Sequence, residues 1–255
     1  MQKTVVFLLI LLLTACASVT EIQKPYADKV SKEKEVESRV RIAVIYLERN
    51  QTSDAIGELE TAMKVDPKSA RVHEVLALAL EKVTDYKRAE RHFKDMLRYD
   101  SDYTRGRANY GYYLMRRGEY AKAQQQLEIV VQDIYYPQRA VTYQQLATCA
   151  EMLGNKEEML SNYQKAIAID GDYAPPLLEL AKVEFNNSNY PGAQIYFDQY
   201  RKKVEQASAE ALLLGIKLAR VFQDKDAEAS YVMALKNLYP RSQEYLDYLD
   251  ILKQA

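Results

Sequence analysis

Apolar residues recur at helical spacing along most of this chain, in two alternating patterns. In the first, a large apolar residue is followed directly by a small one, with a third position four residues after the large one. Leu76-Ala77 with Leu80, Leu146-Ala147 with Ala150, and Leu214-Gly215 with Leu218 show it. In the second, a small residue is followed four positions on by a bulky one, as in Ala55 and Leu59, Ala89 and Phe93, or Ala123 and Leu127. Residues four apart share one face of a helix, so both patterns predict amphipathic helices. They alternate, which predicts pairs of helices. The small residue marks where the two cross closely, and the bulky one fills the gap one turn along. No run alternates polar and apolar residues long enough for a convincing strand, and the fold class is all-α.

Ala55, Ala89 and Ala123 stand 34 residues apart. That spacing resembles the tetratricopeptide (TPR) repeat, a pair of antiparallel helices that stacks on copies of itself. Six windows follow in phase: 36–69, 70–103, 104–137, 140–173, 174–207 and 208–241, with Gln138 and Arg139 as the one break. Met159 replaces the small crossing residue in the fourth window, and Glu184 is polar where a bulky apolar residue is usual. Asp66, Asp100 and Asp170 stand near the ends of second helices as stop and turn residues. The resemblance implies a right-handed superhelical solenoid of about six repeats, which presents a curved protein-binding surface and no active site of its own.

In such arrays positions 2, 5, 9 and 12 of each first helix line the concave groove. Carried over, they give Glu37, Val40, Val44 and Leu47 in the first repeat. The second supplies Arg71, Glu74, Leu78 and Glu81, and the third Arg105, Ala108, Tyr112 and Met115. The expected partner-binding strip is Val40, Val44, Leu47, Leu78, Tyr112 and Met115, apolar and edged by charge, suited to an amphipathic helix or an extended peptide. The alternative is that residues 17–35 of the chain cover it. In the sixth repeat Ala209, Leu212, Ile216 and Ala219 hold the same positions, with residues 242–255 expected as a capping helix over them.

The amino terminus carries a different message. Lys3, the apolar run Val5 to Leu13 and then Thr14-Ala15-Cys16 have the order of an export signal. The apolar run is too short to span a bilayer, which takes roughly 20 helical residues. Leu13-Thr14-Ala15-Cys16 also resembles the bacterial lipobox, in which the cysteine becomes the acylated first residue. The expected division is a signal peptide over 1–15, a lipidated tether over 16–35, six repeats over 36–241 and a capping helix over 242–255. Ala17 stands where an Asp would signal inner-membrane retention, so the expected location is the periplasmic face of the outer membrane, with acylated Cys16 in the lipid. Multiple acyl chains hold a protein stably where a single one does not. The plain alternative is a secretory signal with an incidental cysteine.

Composition narrows the rest. There are 21 tyrosines and no tryptophan, with a net charge of −1. A nucleic-acid stacking platform needs a positive groove beside its aromatics, so no nucleic-acid partner is expected. With Cys16 acylated, Cys149 is left without a disulfide partner and reads as a small core residue. His73 and His92 are the two histidines, assigned to the first and second helix of repeat 2 without a cysteine cluster, so no metal or other cofactor is expected. No phosphate loop, dinucleotide fingerprint or zinc-protease signature occurs, and no catalytic residue is assigned.

Several local stretches resemble the type IV pilus biogenesis lipoproteins of the PilF/PilW family. They are Asn109-Tyr110-Gly111, Tyr136-Pro137, Leu212 to Ala219, Asp226 to Tyr231 and Leu238 to Tyr245. The resemblance runs over the whole mature chain. It implies a pilotin, a non-enzymatic outer-membrane lipoprotein that binds the type IV pilus secretin subunit and promotes its localisation and multimer assembly. The runner-up is another periplasmic TPR lipoprotein adaptor, such as a component of the outer-membrane barrel assembly machine. An envelope enzyme acting on peptidoglycan is the third reading. It requires a catalytic carboxylate or a metal cluster in the groove, and the sequence shows neither.

Overall fold

One turn geometry, repeated six times, builds the described part of this protein. The computed structural model describes residues 29–253, which form thirteen helices and no strand. The first helices of the pairs are α1 (29–48), α3 (Ala70–Lys82), α5 (Thr104–Arg116), α7 (Arg139–Met152), α9 (Pro175–Asn186) and α11 (Ala209–Val221). The second helices are α2 (Thr52–Val65), α4 (Tyr86–Tyr99), α6 (Tyr120–Val130), α8 (Lys156–Ile169), α10 (Tyr190–Lys203) and α12 (Lys225–Leu238), followed by α13 (Gln243–Lys253). The expected signal peptide over 1–15, Cys16 and residues 17–28 of the expected tether lie outside the described residues.

Each first helix ends in a residue with left-handed backbone. These are Asn50, Thr84, Gly118, Gly154, Ser188 and Gln223, with φ between 58° and 78°. The next residue's N–H then bonds back to the carbonyl five positions earlier, as in Asp85 to Leu80 at 2.9 Å and Asp224 to Ala219 at 2.8 Å. This is the Schellman arrangement, which satisfies carbonyls that the helix end leaves unpaired. The residue that donates this bond also opens the second helix. Asp85, Asn155, Asn189 and Asp224 each accept a backbone N–H three positions on through their side chains. Gln51 and Glu119 hold the same place without such a bond. Between repeats, Asp66, Asp100 and Asp170 accept the N–H two residues on, at 3.0 to 3.1 Å, in Asx turns.

The chain divides into two compact units, Met1–Tyr110 and Gly111–Ala255. In the first, the crossing residues Ala43, Ala55, Ala77 and Ala89 are fully buried, with Leu59 and Phe93 one turn beyond. The Phe93 ring stacks on Tyr110 at 5.2 Å. Arg39 pins α1 to α2 by reaching Glu58 at 2.9 Å, and the α3 lysine Lys82 donates to the Leu47 carbonyl at 2.8 Å. Residues 29–35, assigned by sequence to the tether, are helical and belong to α1. Their Lys and Glu residues support the helix from the side, through Lys29–Glu33 and Glu35–Arg39 pairs one turn apart.

In the second unit, Ala123, Ala147, Ala181 and Ala193 repeat the crossing pattern, and Phe197 and Leu235 anchor the carboxy-terminal core. Met159 is accommodated among Ala147, Ala150, Tyr163 and Leu180. Helix α13 packs on α11 and buries Tyr248. Leu212 and Ile216, placed by sequence on the groove face of the last repeat, are buried.

Cys149 is fully buried, and burial pushes its thiol up to about 11 from 9.0. That rise removes about 100-fold of the reactive thiolate at neutral pH. On a Cys16→Ser chain, where Cys149 is the one thiol, Ellman's reagent at pH 8 should react at least 100-fold faster in denaturant than in the fold. Equal rates would show that the side chain is accessible.

Candidate functional site

In the first unit the position-2 residues of three successive first helices converge. Glu37, Arg71 and Arg105 line one cleft of about 510 Å³ with Ser69, Ala70, Asp100 and Tyr103. Behind it lies Glu74, 1% exposed. Its Oε2 accepts from Arg71 at 2.9 Å, Arg105 at 3.3 Å and the Tyr103 hydroxyl at 2.5 Å, and its Oε1 accepts from Asn109 at 2.7 Å. Arg105 also donates to the Tyr103 hydroxyl. Burial raises the Glu74 pKa despite the opposing hydrogen bonds from Tyr103 and Asn109 and the charge of Arg71. Burial, then the Glu74 bond, raise that of Tyr103. The network locks the start of α3 to the start of α5 and leaves two guanidinium groups at the cleft mouth, with half of the Arg105 side chain exposed.

The apolar strip divides by position. Val40 is fully buried, with Val36 and Ala43 on the same stripe of α1, so it is core and offers nothing to a partner. The other position-5 residues, Glu74 and Ala108, are buried as well. In these three repeats position 5 is therefore buried and offers no open face to a partner. Val44, Leu47 and Leu78 are half-buried in the first unit. Of the two strip residues in the second unit, Met115 is half-buried and Tyr112 is 47% exposed, with Arg116 over its ring. Sequence reasoning missed Tyr103 and Asn109, which lie outside the groove positions. Their signal was their distance from Glu74, 29 and 35 residues, close to one repeat length.

His73 and His92, separated in the sequence reading, meet in the structure. Both point into the space between α3 and α4, with Nδ1 atoms 2.9 Å apart. Burial, then the neighbouring His73, lower the His92 pKa to about 4, so this ring is uncharged at neutral pH.

Comparison with known proteins places this geometry. The tetratricopeptide-repeat models match residues 76–137 and 140–173. The type IV pilus assembly protein PilF of Pseudomonas aeruginosa is 30% identical over 247 residues, 97% of either chain. This chain belongs to the PilF family. A solved structure of Pseudomonas aeruginosa PilF superposes with a TM-score of 0.78 at 30% identity, covering 86% of this chain and 99% of that one. PilW, described as a widely conserved type IV pilus biogenesis factor, superposes at 0.73 with 24% identity, over 84% and 98% of the two chains, and shows the shared fold. The PilF-family chain described here is thus an all-α TPR solenoid.

Proposed function

We propose that this chain is a pilotin, a lipoprotein held on the periplasmic face of the outer membrane that binds the type IV pilus secretin subunit and promotes its multimer assembly. It acts by binding, without catalysis. The observation that carries the reading is the match to PilF over nearly the whole of both chains. The lipobox ending at Cys16 supports the anchor, and the half-buried Val44, Leu47 and Leu78 supply an apolar contact beside a charged cleft. Among the described residues no helix is long and apolar enough to cross a membrane.

Two variants test the two halves of this proposal. Val44→Glu combined with Leu47→Lys places charge on the half-buried face while leaving Val40 in the core. Secretin multimers on a semi-denaturing gel should fall sharply, because losing one hot-spot contact of about 2 kcal/mol weakens binding roughly thirtyfold. The melting curve should stay close to wild type. Normal multimers from the folded double variant would place the contact elsewhere. Separately, Cys16→Ser should release the chain from the outer-membrane fraction without altering its melt. Retention of an acylated Cys16→Ser protein in that fraction would refute the anchor. Co-purification with a secretin instead of a barrel assembly protein distinguishes the pilotin from the alternative adaptor.

A further inference from the structure

The inner space of the second repeat holds a group of side chains that no part of the groove uses. His73, on α3, is 4% exposed, and its Nε2 lies 3.1 Å from the Pro67 carbonyl. A carbonyl only accepts, so Nε2 carries the hydrogen and the Nδ1 of the neutral ring is left with a lone pair. That lone pair points at the Nδ1 of His92 on α4, 2.9 Å away. One turn after His92, Asp95 brings a carboxylate to the same place, and the three ligand atoms lie within 4.8 Å of one another.

A neutral histidine pair sharing one hydrogen accounts for the 2.9 Å contact. It does not call for a carboxylate beside it, nor for the Pro67 carbonyl that fixes the His73 tautomer. Both are what a histidine-ligated divalent cation requires: an acidic third ligand, and a second bond that orients the imidazole. We propose that His73 Nδ1, His92 Nδ1 and an Asp95 carboxylate oxygen form a site for one zinc-class divalent cation, with water in the fourth position. Imidazole and carboxylate together suit the borderline first-row ions, zinc foremost, over calcium or magnesium. Zinc–nitrogen bonds of about 2.0–2.1 Å in a tetrahedron place two nitrogens about 3.4 Å apart. The pair therefore opens by roughly half an ångström, which the half-buried His92 can supply. His92 moves its proton from Nδ1 to Nε2 on binding, so the exchange releases no net proton. Asp95 Oδ1 sits 3.0 Å from Arg98, whose side chain is 64% exposed and can turn to solvent. The ion would clasp α3 to α4 within one repeat, and this proposal does not depend on the pilotin reading.

The test uses the full chain, untagged and freed of metal by chelator, titrated with Zn²⁺ in a calorimeter and with Co²⁺ by visible absorption. The wild type should take up one equivalent, give the intense visible bands of four-coordinate cobalt, and melt higher with Zn²⁺ present. His92→Gln and Asp95→Asn should each bind at least tenfold more weakly, with the melt no longer rising in His92→Gln. His73 is left intact because its ring is core. Should His92→Gln fail to fold, Asp95→Asn, at a partly exposed position, carries the same comparison. Absence of saturable one-to-one binding in the wild type overturns the site. So does equal affinity in both folded variants, which would assign the uptake to scattered surface carboxylates.

Discussion

Gly111→Leu should lower the stability of the second unit by about 1–3 kcal/mol, the usual penalty for overfilling a packed crossing. The prediction runs against local preference, because leucine is the better helix former by nearly 1 kcal/mol. Gly111 sits on α5 where it crosses α6. A Cβ there would lie 2.6 Å from Leu127 Cδ2 and 2.8 Å from its Cγ. Leu127 is fully buried, so it must shift within the core to make room. Gly57 provides the control, since a Cβ added in the middle of α2 meets nothing within 4 Å. Gly57→Ala should stabilise by about 0.5–1 kcal/mol through reduced freedom of the unfolded chain. Thermal melts of the two variants should move in opposite directions. A higher melting temperature for Gly111→Leu would mean that the close crossing does not exist.

Glu74→Ala should destabilise the first unit by about 2–3 kcal/mol, and Glu74→Gln by less than about 1 kcal/mol. Alanine leaves a void and strips Asn109 and the Tyr103 hydroxyl of their acceptor, whereas glutamine keeps the shape and one acceptor oxygen. Arg71 and Arg105 are partly exposed and rehydrate, which holds the loss below that of a fully buried ion pair. The pH dependence gives a second check. The folded pKa of Glu74 lies above its ordinary value of 4.5, so the native state binds this proton more tightly than the unfolded chain. Its contribution therefore becomes more favourable as pH falls through the folded pKa towards 4.5. Wild type should gain on Glu74→Gln over that interval. A constant difference between the two would show that the carboxylate is not desolvated.

The helix pairs were legible because the small-then-large pattern at the crossings is a local constraint. Ala55, Ala89 and Ala123 are fully buried, and Leu59, Phe93 and Leu127 stand behind them. The Asx turns at Asp66, Asp100 and Asp170 were legible for the same reason, since side chain and partner lie two residues apart. What periodicity could not supply was the neighbour across an interface. It placed Val40 on a face of α1 without showing how closely the next helix covers that face. It read Glu74 as a groove charge because two of its four donors, Arg105 and Asn109, come from the next repeat and a third, Tyr103, lies 29 residues away. It kept His73 and His92 apart because two rings on different helices meet only when both rotations about the helix axes are known.

Four of the six intra-repeat turns force a residue with a side chain into left-handed backbone: Asn50, Thr84, Ser188 and Gln223, all exposed. Such a conformation costs roughly 1–2 kcal/mol for most residues, and the β-branched Thr84 is poorly suited to it. Glycine would adopt the same angles with little strain, and no side-chain contact of the core would change. In a repeat array stability is approximately a sum over units and their neighbours, so relief at these separated turns should add. A mildly destabilising change elsewhere in this chain should therefore be offset by a single glycine replacement at a distant turn.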